Sequence, residues 1–368
     1  MEMSMFFAKK LKEARKSMGL TQKQLADKIN YSGKSVSKWE SGDGLPTVET
    51  LVQLSKILNV SVDHLIVEPV KVRYYLGIDG GGTKTKFRIC DEQGNILEEV
   101  VKPASNPSNI GFDKALEVLK SGIDEICANF PYNQTSVFAG LAGFTKQNKQ
   151  GFVDFLSKYP FVKIGVGQDI EIITSAGLDT ADGIVAIMGT GSVVRCQSNL
   201  ENFTIGGWGT HFDNGGSGYR LGRDAVIAAL REIDGSGEHT VLTKMIEEKL
   251  GTPANQAISE LYKKGATYIA SLSDITIRAA KYMDPIAMKI VDENCKEMAS
   301  LIDTAAKRIS APEIPVVFSG GLTNEADFLF GKIRQYQKDR RDFNYKVLDK
   351  DPVHGAVLLA GCTINKGE

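Results

Sequence analysis

Asp79 is followed by three glycines, Gly80, Gly81 and Gly82, and then by Thr83 and Lys84. Glycine reaches positive φ without strain and lets peptide N–H groups approach a ligand with no Cβ in the way. Successive N–H groups facing one way make a nest for an anion. Thr83 adds a hydroxyl donor, and Asp79 can hold a hydrated divalent cation that neutralises phosphate charge. A second turn, Gly189-Thr190-Gly191-Ser192, and a third, Gly320-Gly321 after Ser319, repeat the pattern. Each alone reads more readily as an ordinary tight turn. Three in order suit a nucleotide polyphosphate. Phosphoryl transfer then needs a base for the attacking hydroxyl. Asp169, after Gly167-Gln168, is a carboxylate at a predicted strand end, where helix capping is the bland reading.

Short apolar runs must position these turns. Tyr74–Ile78, Ile184–Met188 and Val316-Val317 each lead into one of them. The run after the first turn alternates through Phe87, Ile89 and Ile96, which predicts a hairpin. The first glycines do not open a helix, and Gly-x-x-x-x-Gly-Lys-Ser/Thr is absent, so this is neither a Rossmann fingerprint nor a Walker loop. Lys163–Val166 predicts a strand that delivers Asp169 to the start of a helix. The polar loop Pro103–Asn109 precedes a helix predicted over Phe112–Asn129, and Val137–Gly143 reads as a strand and turn. Residues 224–310 read as amphipathic helices, with Cys295 and the methionines as core. Val353–Cys362 predicts a last helix that returns to the first half.

The three strand–turn units, the first with its aspartate, resemble the nucleotide-binding signature of the actin-like ATPase superfamily. Within it, residues 74–364 resemble the group of N-acetylglucosamine kinases and BadF/BadG-type ATPases. The shared segments are Gly-Ile-Asp-Gly-Gly-Gly-Thr-Lys-Thr, Asn106-Pro107, Gly-Leu-Ala-Gly, the pre-helix Asp169, Gly-Thr-Gly-Ser, Gly-Gly-Trp-Gly, Ser-Gly-Gly and Pro352–Ala356. The resemblance implies an α/β actin-like (ribonuclease-H-like) two-lobed ATPase. Lobe I would span 74–180, completed by helix 352–364, and lobe II 181–351. It also implies ATP and Mg2+ as cofactors, with Asp79 on the metal and Asp169 as base. Gly80, Gly81, Gly82, Thr83, Lys84, Gly189, Thr190, Gly191 and Ser192 would hold phosphates, with Gly320 and Gly321 under the adenosine. Asn106, Gly143, Trp208, Gly209 and Asp213 would meet an amino sugar. One departure stands out. Where these kinases carry Leu-Gly-Asp-Glu-Gly-Ser, this chain has Phe212-Asp213-Asn214-Gly215-Gly216-Ser217, so the acidic pair is replaced.

Residues 1–67 have another character: short helices, each opened by a capping residue. Phe6, Leu11 and Ala14 mark a first helix, Thr21 and Gln24 a capping box, Ser32 a third helix with Val36 and Trp39 inward, Pro46-Thr47 a fourth and Ser61 a fifth. Leu-Thr-Gln-x-x-Leu-Ala followed by Val-Ser-Lys-Trp-Glu-x-Gly resembles the Cro/C1 (Xre) helix-turn-helix domain. That resemblance places the third helix in the major groove of double-stranded DNA. Gln22 and Lys23 would face phosphates; Lys34, Ser35 and Lys38 would face bases or nearby phosphates. Residues 1–70 carry ten Lys/Arg and eight Asp/Glu, a net of +2. One copy binds weakly on that charge, so a homodimer on a symmetric site is expected. Residues 68–73 form a short linker.

Composition bounds the reading. The net charge is −1, so the whole chain is no polycation. Its 37 glycines exceed the usual ~7%, and many sit in the turns above. Five scattered cysteines with no Cys-x-x-Cys argue against a zinc or disulfide framework. They also argue against the activator ATPases of iron–sulfur dehydratases, which need a paired cluster site. No membrane-length apolar run and no basic-then-apolar leader is present, so a cytoplasmic protein is expected. Two functions remain: an ATP-dependent amino-sugar kinase joined to a DNA-binding head, or a regulator whose kinase-like part senses sugar or nucleotide without turnover.

Overall fold

The computed structural model describes residues 2–67, 71–199, 202–213 and 215–362. Asn214 of the altered loop, residues 68–70 of the expected linker and residues 363–364 of the expected closing helix lie outside the described residues. The chain divides into two compact units, up to residue 71 and from residue 72 onward.

The first unit is five helices: α1 (Glu2–Ser17), α2 (Gln22–Lys28), α3 (Gly33–Ser41), α4 (Val48–Leu58) and α5 (Val62–Ile66). Thr21 and Gln24 form the capping box of α2, and Ser32, Thr47 and Ser61 each accept an amide of the helix they open. Phe7, Leu11, Leu25, Val36, Leu54 and Leu65 are fully buried. Phe7 faces this core rather than Phe6, because positions 7, 11 and 14 share a helix face and position 6 does not. Phe6 lies at the rim beneath Lys10. Trp39 is buried and packs on Tyr31, ring centres 5.2 Å apart.

The second unit repeats one sheet design twice. The first sheet takes β1 (Tyr74–Gly80), β2 (Lys84–Cys90), β3 (Ile96–Pro103), β4 (Thr135–Leu141) and β5 (Lys163–Gln168) in the order β3-β2-β1-β4-β5. Its helices are α6 (Pro107–Ile110), α7 (Phe112–Ile126), α8 (Lys149–Leu156) and α9 (Asp169–Leu178). The second sheet takes β6 (Gly183–Met188), β7 (Ser192–Gln197), β8 (Asn202–Gly206), β9 (Glu313–Ser319) and β10 (Asp342–Val347), in the order β10-β9-β6-β7-β8. Between β8 and β9 run α10 (Gly218–Ile233), α11 (Val241–Leu250), α12 (Ile258–Ala270), α13 (Ser273–Lys281) and α14 (Pro285–Ala306). Then α15 (Ala326–Tyr336) joins β9 to β10, and α16 (Pro352–Leu359) closes the series. In each sheet the first three strands are antiparallel neighbours and the other two are parallel to the first. This is the two-lobed actin-like architecture.

Ile96 belongs to β3, not to the strand after the first turn. Asp91 accepts amides from Gln93 and Asn95 and turns the chain before it. The helix expected over 112–129 stays α-helical to Ile126 and tightens to a 3₁₀ turn over Cys127–Asn129.

The last helix of each repeat crosses to the other. α9 packs on β6, β7 and β9 of the second sheet, and α16 packs on β1, β2 and β4 of the first. Ile170, Ile172, Ile173, Leu178, Val185, Val317 and Ala356 form one buried cluster at this crossing. Two glycines permit it. A Cβ on Gly355 would lie 1.8 Å from Ile172 O, and one on Gly77 2.7 Å from Val353 O.

Candidate active site

The first glycine turn joins β1 to β2. Gly81 N–H donates to Lys84 O at 3.0 Å, Ala142 N–H to Gly80 O at 2.7 Å, and Ser105 N–H to Gly81 O at 3.2 Å. None of Gly80, Gly81 and Gly82 has positive φ. The glycines serve close approach instead: a Cβ on Gly80 would stand 2.5 Å from Leu141 Cδ2 and 2.6 Å from the buried Ser105 Oγ. Gly81's amide is engaged inside the turn. The amides of Gly82 and Thr83 have no partner among the described residues. Gly82, Thr83 and Lys84 are exposed.

Carboxylates gather beside this turn. Asp79 is the next-to-last residue of β1, in register with Lys86 on β2 and Gly140 on β4. Asp169 opens α9, directly after β5. Asp351 caps α16, accepting from Val353 N–H. Burial, then the charges of Asp169 and Asp351, push the Asp79 carboxyl up to about 7, against the pull of Lys84 and Lys86. Asp169 is also raised, by burial, while amides of its own helix start pull it down. Its Oδ1 accepts Ile170 N–H at 2.9 Å, and Oδ2 has no partner among the described residues. Burial alone would raise Asp351, but Lys86 Nζ at 2.6 Å and Arg88 outweigh it and hold that carboxyl low. Glu99 closes the network with Arg88 at 2.6 Å and Lys86 at 3.0 Å.

Sequence reasoning missed Asp351, Lys86 and Arg88. Two cues were present: an aspartate just before a helix-opening proline, and two cations at i and i+2 on one strand face. No cluster of three or more metal-type side chains occurs among the described residues. A single carboxylate still suits Mg2+, which keeps several waters and binds through one or two carboxylates plus phosphates.

The second turn joins β6 to β7 and is held from behind. Gly189 N–H donates to Gly191 O at 3.0 Å. Its carbonyl accepts Gly218 N–H at 2.8 Å, and Thr190 O accepts Tyr219 N–H at 3.2 Å. The start of α10 therefore takes the turn's carbonyls, and the amides of Thr190 and Gly191 have no partner among the described residues. The third turn lies against the second. Gly320 has φ 102°, and a Cβ there would stand 2.6 Å from the Met188 carbonyl. Gly189, Thr190, Gly218 and Gly321 line a cavity of about 280 Å³, with Ser271 and Leu322 on its wall. Ser192's buried hydroxyl donates to Gly215 O at 2.5 Å, so its one proton fixes the loop that follows β8.

The expected sugar residues fall in two groups. Asn106 caps α6, Oδ1 accepting Ser108 N–H at 2.9 Å, and a Cβ on Gly143 would stand 2.2 Å from that same oxygen. Asn106 and Gly143 are thus direct neighbours. Trp208, Gly209 and Asp213 sit on the loop after β8. Asp213 folds back on it, accepting Trp208 N–H at 3.2 Å and Gly209 N–H at 3.0 Å. The carboxylate expected to meet a sugar thus fastens its own loop. Trp208 is 78% exposed and Phe212 79%.

In the first unit, Lys23, Lys34 and Lys38 are exposed. Ser35 shares a 2.9 Å hydrogen bond with the cap Ser32. Gln22 Nε2 gives one proton to Glu40 Oε2 at 2.9 Å. Glu40 is held in turn by Arg15 at 2.6 Å, and Arg15 Nη1 donates to Leu20 O. This buried pair fixes where Gln22's second amide proton points.

Residues 76–360 match the BadF/BadG/BcrA/BcrD ATPase family, and residues 11–65 match a helix-turn-helix family. The chain is 28% identical over 305 residues to an N-acetylmuramic acid/N-acetylglucosamine kinase of Clostridium acetobutylicum, covering 78% of this chain and 98% of that one. Its N-terminal part is 44% identical over 62 residues to the HTH-type transcriptional activator BcrR of Enterococcus faecalis, 17% of this chain and 30% of that protein. A solved structure from Chromobacterium violaceum, proposed to be an N-acetylglucosamine kinase, superposes with a TM-score of 0.66 at 24% identity, covering 78% of this chain and 99% of that one. The last likeness establishes the fold. Among the described residues no helix is long and apolar enough to cross a membrane, and the five cysteines are buried and form no disulfide.

Proposed function

The chain belongs to the BadF/BadG/BcrA/BcrD ATPase family, and from that premise we propose that its second unit moves the terminal phosphoryl group of ATP to an amino-sugar hydroxyl. The first unit joins this chemistry to double-stranded DNA, making the whole a sugar-responsive regulator that works as a homodimer. One observation carries the enzyme reading. Two carboxylates of one lobe, Asp79 on β1 and Asp169 directly after β5, both hold their protons more tightly than ordinary carboxylates, chiefly through burial, and Asp169 Oδ2 has no partner among the described residues.

Asp169 Oδ2 takes the proton of the sugar hydroxyl; a carboxyl raised by burial is a better base than an ordinary one. Asp79 holds hydrated Mg2+, with Lys84 beside it. Gly82, Thr83, Thr190 and Gly191 offer their free amides to phosphates, and Gly320-Gly321 underlies the adenosine. The cavity of about 280 Å³, lined by Gly189, Gly218 and Gly321, supports that assignment. Bound ATP and Mg2+ would supply the electrophilic phosphorus and the neutralising charge. Asn106, Gly143 and the Trp208 ring meet the sugar. Relatives named for N-acetylmuramic acid and N-acetylglucosamine support an amino sugar.

A second reading, sensing without turnover, draws on the Asp213 carboxylate being engaged within its own loop. The deciding measurement is ADP release and product formation with N-acetylglucosamine, N-acetylmuramic acid and glucosamine. A phosphorylated sugar establishes the kinase. No product from any of them, with sugar-sensitive DNA affinity, establishes the sensor.

A further inference from the structure

Asn109 lies on α6, is exposed, and its side-chain amide makes no hydrogen bond among the described residues. An exposed asparagine is ordinary. What sets this one apart is its neighbour. A Cβ built on Gly82 would stand 3.5 Å from Asn109 Nδ2, and no other atom beyond its own chain neighbours comes within 4 Å. Gly82 has no positive φ to explain its glycine. What the missing Cβ leaves open is the space in front of Nδ2, next to the free amides of Gly82 and Thr83.

Two ties hold the segment there. Ser105 N–H donates to Gly81 O at 3.2 Å, and Ser105 Oγ lies 2.8 Å from Oγ1 of the buried Thr85 on β2. Asn106 O then accepts Asn109 N–H at 3.0 Å, which closes the turn of α6. Asn106 and Asn109 are three residues apart, so their side chains lie on the same side of that turn. Asn106, against Gly143, is the expected sugar residue. Asn109 reaches the glycine turn expected to hold phosphate. One short helix thus spans the gap between acceptor and donor.

We propose that Asn109 Nδ2 donates a hydrogen bond to the phosphoryl group while it passes from ATP to the sugar. The proposal rests on the kinase reading of the second unit and adds a catalytic residue to it. In that passage the bond from phosphorus to the ADP oxygen breaks, the sugar oxygen forms the new one, and the hydroxyl proton goes to Asp169. Asn109 gives up no proton and is unchanged at the end. Charge is spread meanwhile over three equatorial oxygens. Gly81 N–H is engaged in the turn, so the amides of Gly82 and Thr83 leave one oxygen to be met. Asn109 is the side-chain donor standing against them.

The test uses the full chain and whichever of N-acetylglucosamine, N-acetylmuramic acid and glucosamine it phosphorylates best. Asn109→Ala should lower kcat about 100-fold, the low end for one donor that acts in the transition state. KM for ATP and for the sugar should stay as in wild type, since the contact forms only in the transition state. Asn109→Asp keeps the shape but turns donors into acceptors, and should lower kcat at least as far. A second readout needs no turnover. ADP with Mg2+ should raise the Tm of wild type and Asn109→Ala alike. Adding aluminium fluoride and the sugar, to mimic the phosphoryl group in transfer, should raise it further in wild type and not in Asn109→Ala. Wild-type kcat in both variants, or an aluminium fluoride step of wild-type size in Asn109→Ala, overturns the proposal. So does a loss confined to the sugar KM, which would make Asn109 a sugar contact. If Asn109→Ala unfolds early in urea, Asn109→Asp decides. A wild type that forms no product loses the kinase reading, while the aluminium fluoride step still judges Asn109. No Tm rise with ADP in wild type removes the phosphate site, and the role of Asn109 with it.

Discussion

The two sheets of the second unit share strand order, strand directions and a glycine turn after the first strand, yet the turns have opposite surroundings. The first is ringed by charge: Asp79, Asp169 and Asp351 against Lys84, Lys86 and Arg88. The second has no carboxylate among the described residues that bond to it or line its cavity. It is braced by the start of α10 and by Gly320, and it opens on a cavity. One scaffold used twice thus divides the work. The charged half can move a proton and hold a cation; the neutral half can hold and orient. The difference comes from the segments attached to the shared strands. The first repeat sends its chain straight into α9 with an aspartate at the helix start. The second inserts five helices between β8 and β9, and three of them, α10, α12 and α13, give residues to the cavity wall.

The sharpest way to break this division is at the base. Asp169→Asn should cut sugar-dependent ADP release by ~10² to 10⁴-fold and leave nucleotide binding nearly intact. Retained turnover would mean that the charged half does not do the proton chemistry.

On the neutral side, two glycines should behave differently. Gly320→Ala places a Cβ 2.6 Å from the Met188 carbonyl at φ 102°. It should cost about 2–4 kcal/mol in urea unfolding. Gly191 has nothing within 4 Å of its missing Cβ. Gly191→Val should therefore unfold like wild type while losing the nucleotide-dependent rise in Tm, worth about 2.7 kcal/mol at a hundredfold excess over Kd. Undiminished stabilisation would remove the second turn from the phosphate site.

A smaller effect should appear with pH. A carboxyl raised from 3.8 to about 7 holds its proton more tightly folded than unfolded. Its stabilising contribution is complete below the unfolded value and is lost as pH rises from about 4 through about 7. Asp79→Asn should flatten that slope in ligand-free protein, by ~1–4 kcal/mol across the window. Magnesium-dependent nucleotide binding by the wild type should tighten about tenfold from pH 6 to pH 8, as the carboxylate becomes available. A pH-independent affinity would place the cation elsewhere.

Much of this was legible in the chain. Local chemistry fixed the strand–glycine turns, the capping residues Thr21, Ser32, Thr47 and Ser61, and the placement of Asp79 and Asp169 at element ends, because each depends on residues a few positions apart. The inward face of Trp39 followed from helical spacing alone. What sequence could not decide was how hydrogen-bonding capacity is divided. Gly81 N–H, the Ser192 hydroxyl and the Asp213 carboxylate all look available in a string of letters, and all are committed within their own turns or loops. Asp351 lies 265 residues from Lys86 in the chain and 2.6 Å from it in space. Only the crossing of α16 onto the first sheet brings them together. That crossing depends on Gly355 and Gly77, whose missing side chains announce nothing in sequence and are required only where another backbone arrives within 3 Å. Pattern along the chain determines elements and their ends; contact across the chain determines which polar groups remain free to meet a ligand, since a donor already satisfied has nothing left to give.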